Sequence, residues 1–400
     1  MPKKSIAELG DISRRCVLIR VDFNVPLDKK TGAITNDRRI RAALPTIRQL
    51  LDKGAAIIAM SHLGRPTGDA ARDANLKMDR VAARFSELLG RPVKKAADAV
   101  VGPAVAAAAH ALKPGEVLLL ENLRFDSREQ KNDAEFAGQI AALGDVYVND
   151  AFGTCHNDKD ASMVAVPAAM KAQGKPRAVG LLVAEELEVI DGLMSHPKRP
   201  LLAVMGGAKV SDKIEFINAL LGKVDQLLIG GKMTYTFLKA KGVAVGAMQI
   251  SPEEVAAAAK LLPHVGGKVM LPVDSLVAKS DDLKQTQVVD GPIPAGYEGV
   301  DIGPKTLELY ADRIKTAGTV IWNGPVGWFE QPAFSKGTRG IAEAMANSNA
   351  VTVVGGGETA EAVEQFGLDG KMTHVSTGGG AFLAYVEGKK FASLAQIEER

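Results

Sequence analysis

Short apolar runs of about four to six residues recur along the chain, each followed by a stretch with helical spacing. The first half holds "VLIRVDFN" (17–24), "AAIIAMSH" (55–62), "VLLLEN" (117–122) and "VYVND" (146–150). The second half holds "LLAVMGG" (201–207), "QLLIGG" (226–231), "KVMLPVD" (268–274), "TVIWNG" (319–324), "AVTVVGGG" (350–357) and "MTHVSTGGG" (372–380). Continuous rather than alternating apolar runs mark strands covered on both faces, and their alternation with helices marks a parallel sheet. The expected fold class is α/β, with two doubly wound parallel-sheet (Rossmann-like) domains. Residues 181–200, "LLVAEELEVIDGLMSHPKRP", read as a charged helix closed by His196, Pro197 and Pro200. That helix is a natural hinge. The expected domains are therefore 1–180 and 201–400 joined by it, with the last residues free to pack back on the first domain.

Nearly every run ends in glycine or in a charged or amide residue. Open parallel sheets bind ligands beyond the carboxyl ends of their strands, so these ends predict two sites of different chemistry. In the first half, "RVDFNVP" puts Asp22 and Asn24 two apart at a strand end, and "SHLGRP" leaves His62 and Arg65 free to point outward. "ENLRF" offers Arg124, and "ITNDRRIRAALPTI" offers Arg39 just before a helix. Carboxylate, amide, imidazole and guanidinium groups together suit a small hydroxylated anion. The charge balance agrees: residues 1–200 carry 30 Lys+Arg against 25 Asp+Glu, and 16 of the 19 arginines lie there. Arginine is the residue of bidentate phosphate and carboxylate recognition.

In the second half, "GGAKVSDKI" (206–214) follows a strand with two glycines, then Lys209 and Lys213 one helical turn apart. Two ammonium groups at a helix amino end make a polyphosphate site. The loop "VVGGGETAEAV" (353–363) has glycines for close backbone approach but no lysine of its own. It is neither G-x-x-x-x-G-K-[ST] nor G-x-G-x-x-G.

The absence of any apolar stretch of 18 residues argues against a membrane span. "MPKKSIAELGDI" lacks the apolar core of a secretory signal, and Cys16 and Cys155 are the sole cysteines. The expectation is a cytoplasmic protein without disulfides. No basic block with interleaved aromatics points to nucleic acid.

These motifs carry a resemblance. "RVDFNVP", "SHLGRP", "LLLENLRF", "NDAFGT", "VMGGAKVSDKI", "LPVD", "WNGPVGWFE", "GGGET" and "HVSTGGGA" resemble, in order, the motifs of the phosphoglycerate kinase family, from residue 20 to about 381. The resemblance implies reversible transfer of the acyl phosphate of 1,3-bisphosphoglycerate to MgADP, giving 3-phosphoglycerate and MgATP, in glycolysis and gluconeogenesis. It implies Mg²⁺ with ADP or ATP, small-molecule substrates only, and a monomer. By the same resemblance Asp22, Phe23, Asn24, Arg39, His62, Leu63, Gly64, Arg65 and Arg124 bind 3-phosphoglycerate. Gly207, Lys209, Lys213, Gly231, Asn323, Glu330, Gly356, Gly357, Glu358 and Thr359 bind the nucleotide. Arg39 and Lys209 are the catalytic pair that neutralises the transferring phosphoryl group, Glu330 meets the ribose, and Glu358 approaches the metal. His374 and Glu186 match an interdomain contact of the family, and substrates on separate domains imply closure about the hinge.

Three places depart from the family pattern. "DAFGTCHNDKDAS" (150–162) has Asn157 where the family has an arginine, and one extra residue. Either Lys159 supplies that charge on a shifted loop, or the remaining arginines suffice, and no site residue is carried over there. Lys232 stands in place of a third glycine, and Glu358 in place of an aspartate. The glutamate keeps a hard oxygen ligand but reaches one methylene further. A carboxylate or a phosphate oxygen as nucleophile needs no general base, in keeping with the lack of an H-R-D-type loop. Two rival readings are an NAD-dependent dehydrogenase, which lacks its G-x-G-x-x-G, and a non-catalytic nucleotide-binding relative, which retention of Arg39, Lys209 and Lys213 argues against.

Overall fold

The computed structural model describes residues 2–264 and 266–400. The chain forms two compact units, one of residues 1–188 with 390–400 and one of residues 189–389. Among the described residues no helix is long and apolar enough to cross a membrane.

The first unit is built on six parallel strands, β1 (Cys16–Val21), β2 (Ala56–Met60), β3 (Val93–Lys95), β4 (Val117–Leu119), β5 (Val146–Asp150) and β6 (Arg177–Val179). They lie in the order β3-β4-β2-β1-β5-β6. Strands β1, β2, β4 and β5 are buried almost throughout, which is why they read as unbroken apolar runs. The three-residue strands β3 and β6 are too short to give that signal. Around the sheet lie α1 (Arg38–Asp52), α2 (Asp79–Leu89), α3 (Pro103–His110), α4 (Ala134–Ala141), α5 (Ala165–Ala172) and α6 (Leu181–Ser195). Helix α1 buries Ile40, Leu44, Ile47 and Leu51 along one stripe, the helical spacing that its sequence shows. The boundary between the units falls within α6.

The second unit has a parallel sheet of β7 (Leu201–Met205), β8 (Gln226–Ile229), β9 (Val269–Met270), β13 (Thr319–Asn323), β14 (Val351–Gly355) and β15 (His374–Val375), in the order β15-β14-β13-β7-β8-β9. Between β9 and β13 lies a separate antiparallel sheet that the sequence reading missed: β10 (Asp274–Lys279), β11 (Asp282–Asp290) and β12 (Tyr297–Ile302). The run "KVMLPVD" is two strands rather than one, parted at Pro272, which cannot donate to a ladder. Strand β11, "DLKQTQVVD", is exposed along most of its length and so lacks an apolar run. The helices are α7 (Ile214–Leu221), α8 (Met233–Ala240), α9 (Pro252–Leu261), α10 (Pro304–Thr316), α11 (Lys336–Ala346), α12 (Gly357–Gln365) and α13 (Gly380–Val386); α14 (Ala392–Ala395) belongs to the first unit.

Both parallel sheets reverse direction once. In the first, the chain leaves β1 towards β2 and returns to β1's other side as β5; in the second, it leaves β7 towards β8 and returns beside β7 as β13. The clefts beyond β1/β5 and β7/β13 are the topological switch points, where parallel sheets leave room for a ligand.

Candidate active site

Beyond β1, Asp22 accepts a hydrogen bond from Arg39 Nη1 at 2.7 Å through its Oδ2 atom. Burial raises the Asp22 pKa, but Arg39, His62, Arg20 and the Asn24 backbone N–H outweigh it and hold the carboxyl below its ordinary value. Asn24 Oδ1 accepts from the Gly64 N–H at 2.8 Å, and Arg124 Nη1 donates to the Gly64 carbonyl at 2.9 Å. The Gly64 turn is thus clasped from both sides. Arg39 is the second residue of α1 rather than a residue before it. Arg65 is exposed and makes no hydrogen bond or ion pair among the described residues.

One further expectation for this half needs correction. His62 does not point outward: it is 3% exposed, and its Nδ1 accepts from Arg20 Nη2 at 3.1 Å. Burial, reinforced by Arg20 and only partly opposed by Asp22, drops its pKa to about 3. The imidazole is neutral at physiological pH. Phe23 and Leu63 put their side chains into the hydrophobic core, where Phe23 meets Phe85 edge-on at 5.1 Å. Their backbone groups are also engaged, the Phe23 N–H by Ser61 Oγ and the Leu63 N–H by Asn122 Oδ1.

Two residues escaped the sequence reading. Arg20 is fully buried, the next-to-last residue of an apolar strand; a lone charge in such a run was the available signal. Asn122 is fully buried and spends its amide on Leu63, Leu76 and Arg124, joining the ends of β2 and β4. At the departing loop, Asn157 Nδ2 donates to Asp160 Oδ2 at 3.1 Å, and Lys159 is exposed without a hydrogen bond or ion pair among the described residues.

In the second unit, glycine turns from three strand ends interlock. Gly206 N–H donates to the Asn323 carbonyl, Gly207 N–H to the Pro325 carbonyl, and Gly231 N–H to the Val326 carbonyl. At Gly231 (φ +64°) an added Cβ would lie 2.7 Å from the Gly207 nitrogen. A side chain there would force the turns apart. Lys213 Nζ lies beneath this cradle, donating to the Gly206 carbonyl at 2.7 Å. Burial lowers its pKa to about 8, with Glu358 and Asp212 opposing. Lys209 and Lys213 do not share a helix as expected: Lys213 ends a 3-10 turn (Ser211–Lys213) before α7 begins at Ile214, and Lys209 lies in the loop before that turn, exposed and without a hydrogen bond or ion pair among the described residues.

Gly356 (φ +96°) ends β14's loop and Gly357 opens α12. The N–H groups of Gly357, Glu358 and Thr359 have no acceptor among the described residues, leaving a helix amino end open to an anion. Glu358 is exposed and makes no hydrogen bond there. The side chains of Thr359 and Asn323 tie the turns together. Thr359 Oγ1 accepts from Gly324 N–H at 2.7 Å, and Asn323 Nδ2 donates to the Gly355 carbonyl at 2.9 Å. Beside the cradle is a cleft of about 190 Å³ whose walls include Gly207, Gly231, Val326, Trp328, Glu330 and Glu358. Trp328 and Tyr235, which also lines it, were not singled out in the sequence.

Residues 6–389 match the profile of the phosphoglycerate kinase family. The chain belongs to that family. It is 50% identical, over the full length of both chains, to phosphoglycerate kinases of Rhodopirellula baltica and Chloroflexus aggregans. The solved phosphoglycerate kinase of Coxiella burnetii superposes with a TM-score of 0.84 at 38% identity, covering 99% of this chain and 98% of that one. The enzyme from Pyrococcus horikoshii does so with a TM-score of 0.84 at 30% identity and the same coverage. Family membership gives the function: phosphoglycerate kinase activity, a phosphotransfer of glycolysis. The non-catalytic alternative is not favoured.

Proposed function

We propose that the β1/β5 cleft holds 3-phosphoglycerate or 1,3-bisphosphoglycerate and that the β7/β13 cleft holds ADP or ATP, so that the first unit is the substrate domain and the second the nucleotide domain. The observation that carries this is the contrast between the two clefts: guanidinium, amide and imidazole around the Gly64 turn in one, an ammonium beneath interlocked glycine turns in the other.

In the first cleft, Arg124 brings a buried Nε–H that has no partner among the described residues, a donor suited to a substrate oxygen. Arg65 and Arg124 receive the phosphate and carboxylate ends, Asn24 and Asp22 orient the hydroxyl side, and Phe23 and Leu63 shape the floor. In the second cleft, the flat space along Val326 and Trp328 takes the base, Glu330 meets the ribose, and Lys213 with the α12 amino end takes the phosphates. Arg39 and Lys209 neutralise the charge that spreads over the transferring group, which is the main task in phosphoryl transfer. The nucleophile is ionised already, so no proton is removed by the protein.

The donor set fits Mg²⁺ carried by the nucleotide. Glu358 presents a free carboxylate beside the open helix end, whereas no group of three or more His, Cys, Asp or Glu among the described residues could hold a metal alone. Mg²⁺ is commonly bound through one carboxylate plus substrate phosphates. When bound it offsets phosphate charge; Glu358 would anchor it. The enzyme is proposed to act as a cytoplasmic monomer without nucleic-acid or membrane partners. Separate KM measurements test the assignment: Arg124→Ala should raise KM for 3-phosphoglycerate alone, and Lys213→Ala KM for MgATP alone. The reverse pattern would refute it.

A further inference from the structure

The first unit contains a buried chain of polar groups that no substrate contact explains. Glu129 lies in a short 3-10 turn (Glu129–Lys131) and is 1% exposed. Its Oε1 accepts from Ser162 Oγ at 2.5 Å and its Oε2 from the Ser162 backbone N–H at 2.9 Å. Having given its only proton to Glu129, the Ser162 hydroxyl must act as an acceptor to its other neighbour, Arg20 Nε at 2.9 Å. Arg20 Nη2 in turn donates to His62 Nδ1 at 3.1 Å, and Arg20 Nη1 donates to the Val21 carbonyl. Ser162 is pinned at its carbonyl by Tyr147 Oη at 2.9 Å, so the hydroxyl cannot swing away with its backbone. Arg20, Ser162 and Tyr147 are all fully buried.

The direction of the Arg20 bonds is forced. A guanidinium can only donate, so His62 Nδ1 must be unprotonated, and in the neutral ring the proton sits on Nε2. A buried guanidinium also needs countercharge: Asp22 lies within its field, and Glu129, whose carboxyl pKa burial raises and Arg20 lowers, is joined to it through Ser162. We propose that Glu129 and Ser162 are positioning residues for the reaction: they hold Arg20 so that His62 presents a fixed Nε2–H donor to the substrate anion. This rests on the placement of 3-phosphoglycerate beside His62. It adds two residues, one on a turn and one on the loop after β5, that touch no substrate themselves.

The relay predicts a consequence that a purely structural network would not have. In Ser162→Ala, Arg20 Nε loses its acceptor with little change in volume. KM for 3-phosphoglycerate should rise about five- to tenfold while KM for MgATP stays within twofold; the melting temperature should fall, because Arg20 Nε and Glu129 Oε1 both lose a buried partner. Nitrogen-15 NMR of the ligand-free protein should show a single Nε2–H tautomer of His62 in the wild type and loss of that single state in Ser162→Ala. Glu129→Gln should give the same split; if its unbalanced Arg20 prevents folding, Ser162→Ala carries the test. An unchanged His62 tautomer in Ser162→Ala would overturn the relay, as would a parallel loss of affinity for both substrates. The NMR readout contains no substrate. If His62→Ala leaves KM for 3-phosphoglycerate unchanged, the substrate placement fails, while the tautomer still decides the relay.

Discussion

Arg39 and Asp22 are paired at 2.7 Å, with the Arg39 side chain 38% exposed and that of Asp22 12% exposed. The carboxylate steadies one guanidinium nitrogen at the rim of the β1/β5 cleft and leaves the others free to meet an incoming phosphoryl group. An arginine held this way is preorganised for the transition state, which is where electrostatic catalysis gains most. Arg39→Ala should therefore reduce turnover on the order of 10²–10³-fold, with KM for MgATP nearly unchanged. Steady-state kinetics with both substrates varied will check this. Turnover close to wild type would remove Arg39 from the catalytic pair.

His62 yields a pH prediction of unusual sign for a substrate-binding histidine. Its pKa lies at about 3, below the ordinary 6.5, because of burial and Arg20. Between those values the unfolded chain binds a proton that the folded chain refuses, so stability falls as the pH drops from about 6.5 towards 3. Binding of 3-phosphoglycerate should show no inflection from His62 between pH 5 and 8. His62→Gln, which keeps an N–H donor, should bind better than His62→Ala. Isothermal titration across that range is the check.

The sheets and the site differ in how legible they were. Strands such as β1 and β7 announce themselves because burial on both faces demands an unbroken apolar run, and the loops after them carry residues that no core needs. Strand β11 gave no such signal because it lies exposed at a sheet edge, and β3 and β6 are too short to carry a pattern. Within the site, glycines and arginines were readable because their chemistry is specialised. What could not be read was which side chains were already spent. The sequence treats Asn323 and Thr359 as equal to Glu358, yet the side chains of the first two are bonded to neighbouring turns, whereas Glu358 makes no hydrogen bond among the described residues. Arg20 was hidden by its strand, since a buried charge makes sense only once Ser162 and Glu129, distant in sequence, are seen beside it.

Lys213 should make nucleotide binding proton-linked. With its pKa lowered to about 8 by burial, it is partly neutral at pH 8.5, and an arriving phosphate restores the charged form. MgADP binding at pH 8.5 should take up a proton, read as a dependence of binding enthalpy on buffer ionisation. Lys213→Met should abolish that uptake. In the ligand-free protein, stability should rise from about pH 8 to the ordinary 10.5, where the unfolded chain still holds the proton that the folded one has released.

Glu358 is the longer carboxylate at a place where the family carries aspartate. If it anchors the nucleotide's metal, Glu358→Gln should raise the Mg²⁺ concentration needed for half-maximal activity several-fold. Glu358→Asp should leave the metal usable. An unchanged Mg²⁺ dependence in Glu358→Gln would reduce the residue to a partner of the α12 helix dipole.

The account stands most directly on one coupled assay, following ATP made from MgADP and 1,3-bisphosphoglycerate by the wild type and by Lys209→Ala. The prediction is rapid ATP formation by the wild type and a loss on the order of 10²-fold or more without Lys209, as expected for removing a group that neutralises the transferring phosphoryl charge. No ATP from the wild type, or full activity without Lys209, would contradict it.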